Sequence, residues 1–310
     1  MKFGKIPLEM AKGAILAHTT RLSERTFRKG HVLTPEDVQS MQSEGIEELI
    51  VAQLGEDDIE EDVAAEKIST AVLGRNVKVG KPFTGRSNLI SSAHGLIVYD
   101  KASLDNINLI DQSVTIATLP QYEIVSPGQL IATIKIIPLA IPQRLLENIL
   151  NTSATGRSSI SVEPFEKKKV GLIMTHLPGM KESILDNTFK TASNRVAICG
   201  SQITHQIRVE HDQTIVSEKI SELTKHCDII LIFGASAVVD ELDVIPASVV
   251  NAGGHIIHFG MPVDPGNLLF LGRLDKLPVI GMPGCARSSK LNGFDWVLWR
   301  LLANIDISSR

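Results

Sequence analysis

Lys169-Val170-Gly171-Leu172-Ile173-Met174 and Asp228-Ile229-Ile230-Leu231-Ile232-Phe233 decide the fold. Each is a short apolar run that a charged residue opens and a polar or glycine-bearing loop closes. Runs of this length, rich in branched aliphatics, read as strands buried on both faces. Helical stretches alternate with them: Lys181–Ala192, Thr214–His226, Pro246–Ala252 and Asn292–Leu302. Shorter strand-like runs are Arg195–Cys199, ending at Gly200, then His255–Phe259, Leu268–Leu271 and Pro278–Ile280. Strand, loop, helix, strand in this order predicts an α/β fold with a mostly parallel sheet covered on both faces.

Upstream the texture differs. Leu8–His18 has apolar residues at helical intervals, and Thr34-Pro35-Glu36-Asp37 is a helix start that Gly45 ends, before a strand at Ile46–Val51. Glu56–Asp62 carries six acids in seven positions and reads as the solvated start of another helix. From Asn76 to Ile137 short β-rich runs are broken by Gly80-Lys81-Pro82, Ser126-Pro127-Gly128 and Pro138. Asn151–Ser159 is polar and holds glycine and serines, which puts a boundary near residue 165. Residues 1–165 are therefore expected to form a smaller β-rich or α+β region, and 166–310 the α/β domain.

Composition narrows the function. Of 310 residues, 43% are hydrophobic and 21% charged, as in a globular protein. Only 9 Phe, 2 Trp and 2 Tyr are present and the net charge is −4. That balance argues against a stacking surface or a bulk electrostatic pull toward nucleic acid or anionic lipid. Cys199, Cys227 and Cys285 are too scattered for a thiolate zinc site or a disulfide framework. No apolar run approaches the roughly 20 residues of a membrane helix, and the N-terminal residues carry no secretory h-region. A cytoplasmic protein with no nucleic-acid or membrane partner is expected.

In an open α/β sheet, ligands bind at the carboxyl ends of the strands. Four loops are therefore candidates. Thr175–Ser183 contains Pro178-Gly179 and Lys181, suited to turning backbone amides toward an anion or simply to a tight connection. In Gly234-Ala235-Ser236 the small side chains leave room against the backbone, and Asp240, Glu241 and Asp243 follow. Asp243 either contacts a ligand or Mg²⁺, or caps the next helix. Gly260–Asn267 holds two prolines and two glycines, with Asp264, Gly266 and Asn267 as contacts. Pro283-Gly284-Cys285-Ala286-Arg287-Ser288 precedes the last helix and, with Lys290, suits a phosphate or other oxyanion. Cys285 is either a thiolate in that positive setting or a small packing residue. His205, His211 and Asp212 read as a polar loop.

At these loops the sequence resembles the molybdopterin-binding domain family of molybdenum cofactor biosynthesis. The likeness is carried by Gly234-Ala235-Ser236 with Asp243, by Asp264-Pro265-Gly266-Asn267 and by Met282-Pro283-Gly284-Cys285, over residues 168–305. Gly30–Val38 through Gly45 resembles a segment of the molybdenum insertase branch. Phe233 stands where the family has the first of two glycines, Thr175-His176-Leu177-Pro178 replaces an acidic loop, and Cys285-Ala286 replaces Asn-Pro. The resemblance implies a mostly parallel three-layer α/β/α molybdopterin-binding domain. It implies molybdopterin as ligand or substrate, with Mg²⁺, ATP or AMP and molybdate as associated species. The implied contacts are Thr175, Gly234, Ala235, Ser236, Asp243, Gly266, Asn267, Pro283, Gly284, Arg287 and Ser288, with Asp243 and Asp264 in the catalytic roles. The implied activity is adenylyl transfer or molybdate insertion. A non-enzymatic carrier or sensor of the cofactor and an unrelated Mg-ATP-dependent nucleotidyltransferase are the alternatives. The implied partners are copies of the same chain or other cofactor-biosynthesis proteins.

Overall fold

A computed structural model of the chain describes residues 1–154 and 159–308. Residues 155–158, within the polar stretch Asn151–Ser159, lie outside the described residues. The chain divides into two compact units, Met1–Ala93 with Ile97–Val162, and His94–Leu96 with Glu163–Arg310.

The first unit mixes strands and helices. Its larger core lies between an antiparallel sheet, in the order Val114–Thr118, Leu130–Ile136, Arg86–Ser91 and Val77–Val79, and the helix Glu61–Ala71. Ala64, Ala65 and Ile68 of the helix and Ile131, Ile134 and Ile136 of the sheet are buried there. The helix expected from Thr34 runs over Pro35–Ser43. The Thr34 hydroxyl accepts from the Asp37 amide at 3.2 Å, and the Asp37 carboxylate accepts from the Thr34 amide at 3.1 Å. That capping box satisfies two donors a bare helix start would strand.

Three local expectations for this unit fail. Leu8–His18 is not a helix: a 3-10 turn at Leu8–Met10 gives way, past Gly13 at φ 75°, to a strand at Ile15–Leu16. Pairing of Ile15 with Ala52 and Leu16 with Val51 outweighs the helical spacing. The acidic run opens as a strand, Asp58–Glu60, paired with Ala140–Pro142, and the helix begins only at Glu61. Helices at Lys101–Asn108 and Gln143–Ser153 stand where no helix is expected.

The second unit is α/β. Its six-stranded sheet comprises β1 (Lys169–His176), β2 (Gln202–Glu210), β3 (Ile229–Phe233), β4 (His255–Phe259), β5 (Phe270–Leu274) and β6 (Leu277–Met282), in the order β2-β1-β3-β6-β5-β4. The β1–β2, β1–β3 and β3–β6 pairings are parallel; β5 runs antiparallel to both its neighbours. Every strand but β5 therefore ends on the same side. The register sets Met174, Phe233 and Met282 side by side, so the loops after β1, β3 and β6 leave at one height. All five residues of β3 are buried, each contributing about 1.5–3 kcal/mol through its apolar side chain.

Alternate residues of the central strands divide between two cores. Val170, Leu172, Met174, Ile229, Leu231 and Phe233 pack with helices α1 (Glu182–Ile198) and α4 (Gly293–Leu302). Ile173, Ile230 and Ile232 pack with α2 (Gln213–Leu223) and α3 (Val244–Asn251).

One expectation fails instructively. Arg195–Cys199 is not a strand; Arg195 to Ile198 form the last turn of α1 and Cys199 its C-cap. Arg195 is buried there in an ion pair with Asp295 and donates to the Ser288 and Lys290 carbonyls. The strand comes later, as β2, and it absorbs His205 from the expected polar loop. Its exposed and half-buried residues alternate because it lies at the sheet edge. Asp212 is the N-cap of α2, accepting from Thr214 and Ile215 amides at 2.9 and 3.0 Å.

Candidate functional site

The site is assembled where β1, β2, β3 and β6 end. Thr175, next to last in β1, is buried, and its hydroxyl oxygen accepts from the Ala235 amide at 2.7 Å. This bond ties the first loop to the second. Gly234 has no freedom to carry a side chain: a Cβ there would stand 2.9 Å from the Ser236 carbonyl oxygen and 3.3 Å from Ile245 Cγ1. The chain thus folds back tightly and presents Ser236 to solvent.

The fourth loop reaches the second through Arg287. Its guanidinium lies 4.5 Å over the centre of the Phe233 ring and donates from Nη2 to the Gly234 carbonyl at 3.1 Å. Phe233, where the resembled family has glycine, is therefore the platform on which this cation rests. Arg287 is half-buried, has no carboxylate partner among the described residues, and its buried Nε–H has no acceptor. Burial lowers its pKa, yet a guanidinium stays charged at any working pH. Arg195 and Arg273 also hold a buried Nε–H without an acceptor, but each has a carboxylate; what sets Arg287 apart is a half-buried positive charge with no acidic partner among the described residues, which suits an anion.

The rest of the fourth loop is braced from behind. The Arg195–Asp295 pair holds the carbonyls of Ser288 and Lys290, and Thr191 donates to the Arg287 carbonyl at 3.3 Å. Pro283 is buried while Gly284, Cys285 and Ser288 are exposed. Ser288 Oγ accepts from the Lys290 amide at 3.3 Å, and Cys285 Sγ from Asn292 Nδ2 at 3.2 Å.

Asp243 resolves toward its capping alternative in geometry: one carboxylate oxygen accepts from the Val244 amide at 2.7 Å at the start of α3, the other from Val239 at 3.2 Å. The third loop stands apart. Gly266, at φ 131°, packs against the start of α4, where a Cβ would meet the Gly293 nitrogen at 2.7 Å and Asn292 Oδ1 at 2.9 Å. Asp264 and Asn267 are exposed, and among the described residues no side-chain hydrogen bond joins them to the Thr175–Arg287 group. The structure therefore brings together Thr175, Gly234, Ala235, Ser236 and Arg287, with Asp243 bracing their loop. It leaves Asp264, Gly266 and Asn267 as a separate rim.

His211, read from sequence only as part of a polar loop, belongs to the group. It follows β2, and its Nδ1 lies 2.8 Å from Thr175 Oγ1 and its Nε2 3.3 Å from Ser236 Oγ. Burial lowers the imidazole pKa below its ordinary 6.5, with the Asp243 carboxylate opposing. No sequence spacing signals these contacts. Among the described residues no three His, Cys, Asp or Glu side chains are placed to hold a metal ion, and no helix is long and apolar enough to cross a membrane.

A family model described as "Domain of unknown function (DUF8806)" matches residues 5–53. No curated protein sequence matches the chain. Among solved structures, the molybdopterin biosynthesis MoeA protein of Pyrococcus horikoshii aligns with 98% of this chain and 75% of its own, at 15% identity and a TM-score of 0.35. The molybdopterin biosynthesis enzyme MoaB of Thermus thermophilus aligns with 44% of this chain and 97% of its own, at 14% identity and a TM-score of 0.34. A molybdenum cofactor biosynthesis protein of Pyrococcus furiosus aligns over 98% and 64%, at 12% identity and a TM-score of 0.28.

Proposed function

We propose that the second unit binds molybdopterin, a pterin bearing a terminal phosphate, at the carboxyl ends of β1, β3 and β6, within molybdenum cofactor biosynthesis. On this reading the unit is a three-layer α/β/α molybdopterin-binding domain covering residues 166–310. Support comes from the loop residues that resemble that family. The observation that carries the reading is Arg287: a cation half-buried on Phe233 and without a carboxylate among the described residues. It receives the anionic end of the ligand, with Gly234, Ala235 and Ser236 giving close backbone approach and Pro283, Gly284 and Ser288 forming the facing wall. Asp264 and Asn267, exposed on the third loop, suit the donor and acceptor edge of the pterin.

Thr175 and Asp243 act in this reading by holding the second loop, since their polar atoms are spent on the Ala235, Val239 and Val244 amides. Adenylyl transfer and molybdate insertion both fit a site that works by positioning and charge stabilisation. Any magnesium would arrive on nucleotide phosphates rather than in a protein cage, and molybdate would be substrate.

The test is to purify the protein anaerobically from a host that makes the cofactor, denature it, oxidise the released material, and measure the fluorescent pterin derivative. Near-stoichiometric pterin supports the reading, and AMP attached to it by mass identifies the late insertion step. No pterin, even after incubating the apo-protein with it, refutes the reading.

A further inference from the structure

We propose that Ser236 is a catalytic nucleophile toward a phosphoric anhydride, with His211 as its general base and Thr175 as the residue that orients the imidazole. The inference stands on hydrogen-bond geometry and holds whether or not a pterin is the ligand.

The proposal takes the His211 tautomer that satisfies every contact of Thr175. Its hydroxyl oxygen has three partners: the Ala235 amide at 2.7 Å, His211 Nδ1 at 2.8 Å and the Phe233 carbonyl at 3.4 Å. The amide donates. The carbonyl only accepts, so it takes the single hydroxyl proton. The oxygen then has one lone pair left, and His211 fills it by donating from Nδ1–H. All three contacts are satisfied only in this arrangement. It leaves the lone pair of Nε2 directed at Ser236 Oγ, 3.3 Å away. An orienter, a base and an exposed hydroxyl in this sequence are the parts of an activated nucleophile. The imidazole is neutral at working pH because burial outweighs the Asp243 carboxylate.

The electrophile follows from the cation beside the serine. Arg287 donates to the Gly234 carbonyl, two residues before Ser236, and its charge has no carboxylate among the described residues. Charge on a phosphoryl group is what such a donor stabilises. In the reaction, a bond forms between Ser236 Oγ and phosphorus as the bond from phosphorus to the bridging oxygen breaks. The serine proton passes to His211 Nε2 and from there to the departing phosphate oxygen. A second acceptor, water or an alcohol, then attacks the phosphoserine ester; His211 takes its proton and returns it to Ser236 Oγ.

A fluorophosphonate probe tests this directly, because it loses fluoride to an activated serine and leaves a stable adduct. Intact mass and peptide mapping of the full chain should show one adduct, on Ser236, absent in Ser236→Ala. His211→Gln should slow labelling about 100-fold or more, the contribution expected of a general base. Thr175→Val should slow it, and Thr175→Ser, which keeps the hydroxyl, should restore it; a merely structural threonine would not show that rescue. The wild-type labelling rate should fall in acid through one ionisation below 6.5, a readout that survives should His211→Gln fail to fold. No adduct on the folded wild type overturns the proposal. So does an adduct on another serine, or a rate independent of both pH and His211.

Discussion

Replacing Arg287 with methionine should separate binding from stability. In the protein as it stands, the guanidinium gains about 0.5–1 kcal/mol from lying over Phe233. Its bond to the Gly234 carbonyl adds about 1.5–3 kcal/mol. Against this stand the partial dehydration of an unpaired cation, worth several kcal/mol when complete, and the stranded Nε–H, about 1–3 kcal/mol. The sum is near zero. Methionine keeps a thioether on the ring, worth about 0.3–1.5 kcal/mol, and relieves both penalties. Thermal unfolding should therefore shift by no more than about 4 °C, at about 2–4 °C per kcal/mol. Ligand retention should respond quite differently. Losing charge-assisted bonds to a phosphate, about 1.5–3 kcal/mol, weakens binding about 10- to 150-fold at 1.4 kcal/mol per decade. The assay is the pterin per chain after anaerobic purification, followed through successive dilution and dialysis, alongside a melt of the apo-protein. A melt lowered by about 10 °C with pterin content intact would refute the reasoning and make Arg287 a structural residue.

Asp295→Ala should be far more damaging to the fold, by about 3–5 kcal/mol in chemical denaturation, since it strands the buried Arg195; replacing both residues with apolar ones should recover most of the loss. Asp243→Ala removes the α3 cap and should cost about 0.5–2 kcal/mol, whereas Asp243→Asn, which retains an acceptor, should recover it in the same titration. His211 is lowered in the folded state, so the unfolded chain binds its proton first as pH falls. Stability is then full above about 6.5 and declines below it until the folded imidazole also protonates, and His211→Gln should flatten that slope in urea melts across pH. Iodoacetamide at pH 8 should modify exposed Cys285 in the native protein and spare buried Cys227 and Cys199, the latter a thiol that burial pushes up to about 12; mass spectrometry should count one adduct native and three in denaturant.

How much of this is legible in the sequence depends on how local the determining physics is. The strand Ile229–Phe233 and the start of the helix at Pro35 are readable because a buried run and a capping box are written within a few residues. Asp243 as a cap is readable as one of two alternatives for the same reason. Arg195–Cys199 misleads because Val196 and Ile198 suit a strand, while what holds Arg195 in a helix is Asp295, 100 residues away. His211 escapes notice because its partners Thr175 and Ser236 lie 36 and 25 residues distant and meet only once β1, β2 and β3 lie side by side. The strand ends can be named in advance as the candidate edge; which side chains meet there cannot.

Arg195 and Arg287 show why the edge is asymmetric. Arg195 finds a carboxylate and two carbonyls, and the result is a fixed fourth loop. Arg287 finds one carbonyl and an aromatic face, and the result is an unfilled demand. The same contrast separates the two hydroxyls. Thr175 has all three of its bonding positions occupied within the protein, so it can only hold its neighbours in place. Ser236 has the His211 nitrogen on one side and solvent on the other. Groups whose charge is matched within the protein therefore build the frame, whereas Arg287, with no carboxylate among the described residues, and the exposed Ser236 both adjoin the loop at Gly234. The consequence is an ordering: substitutions at Arg195 and Asp295 move the melting temperature first, whereas substitutions at Arg287 and Ser236 move ligand retention and labelling first.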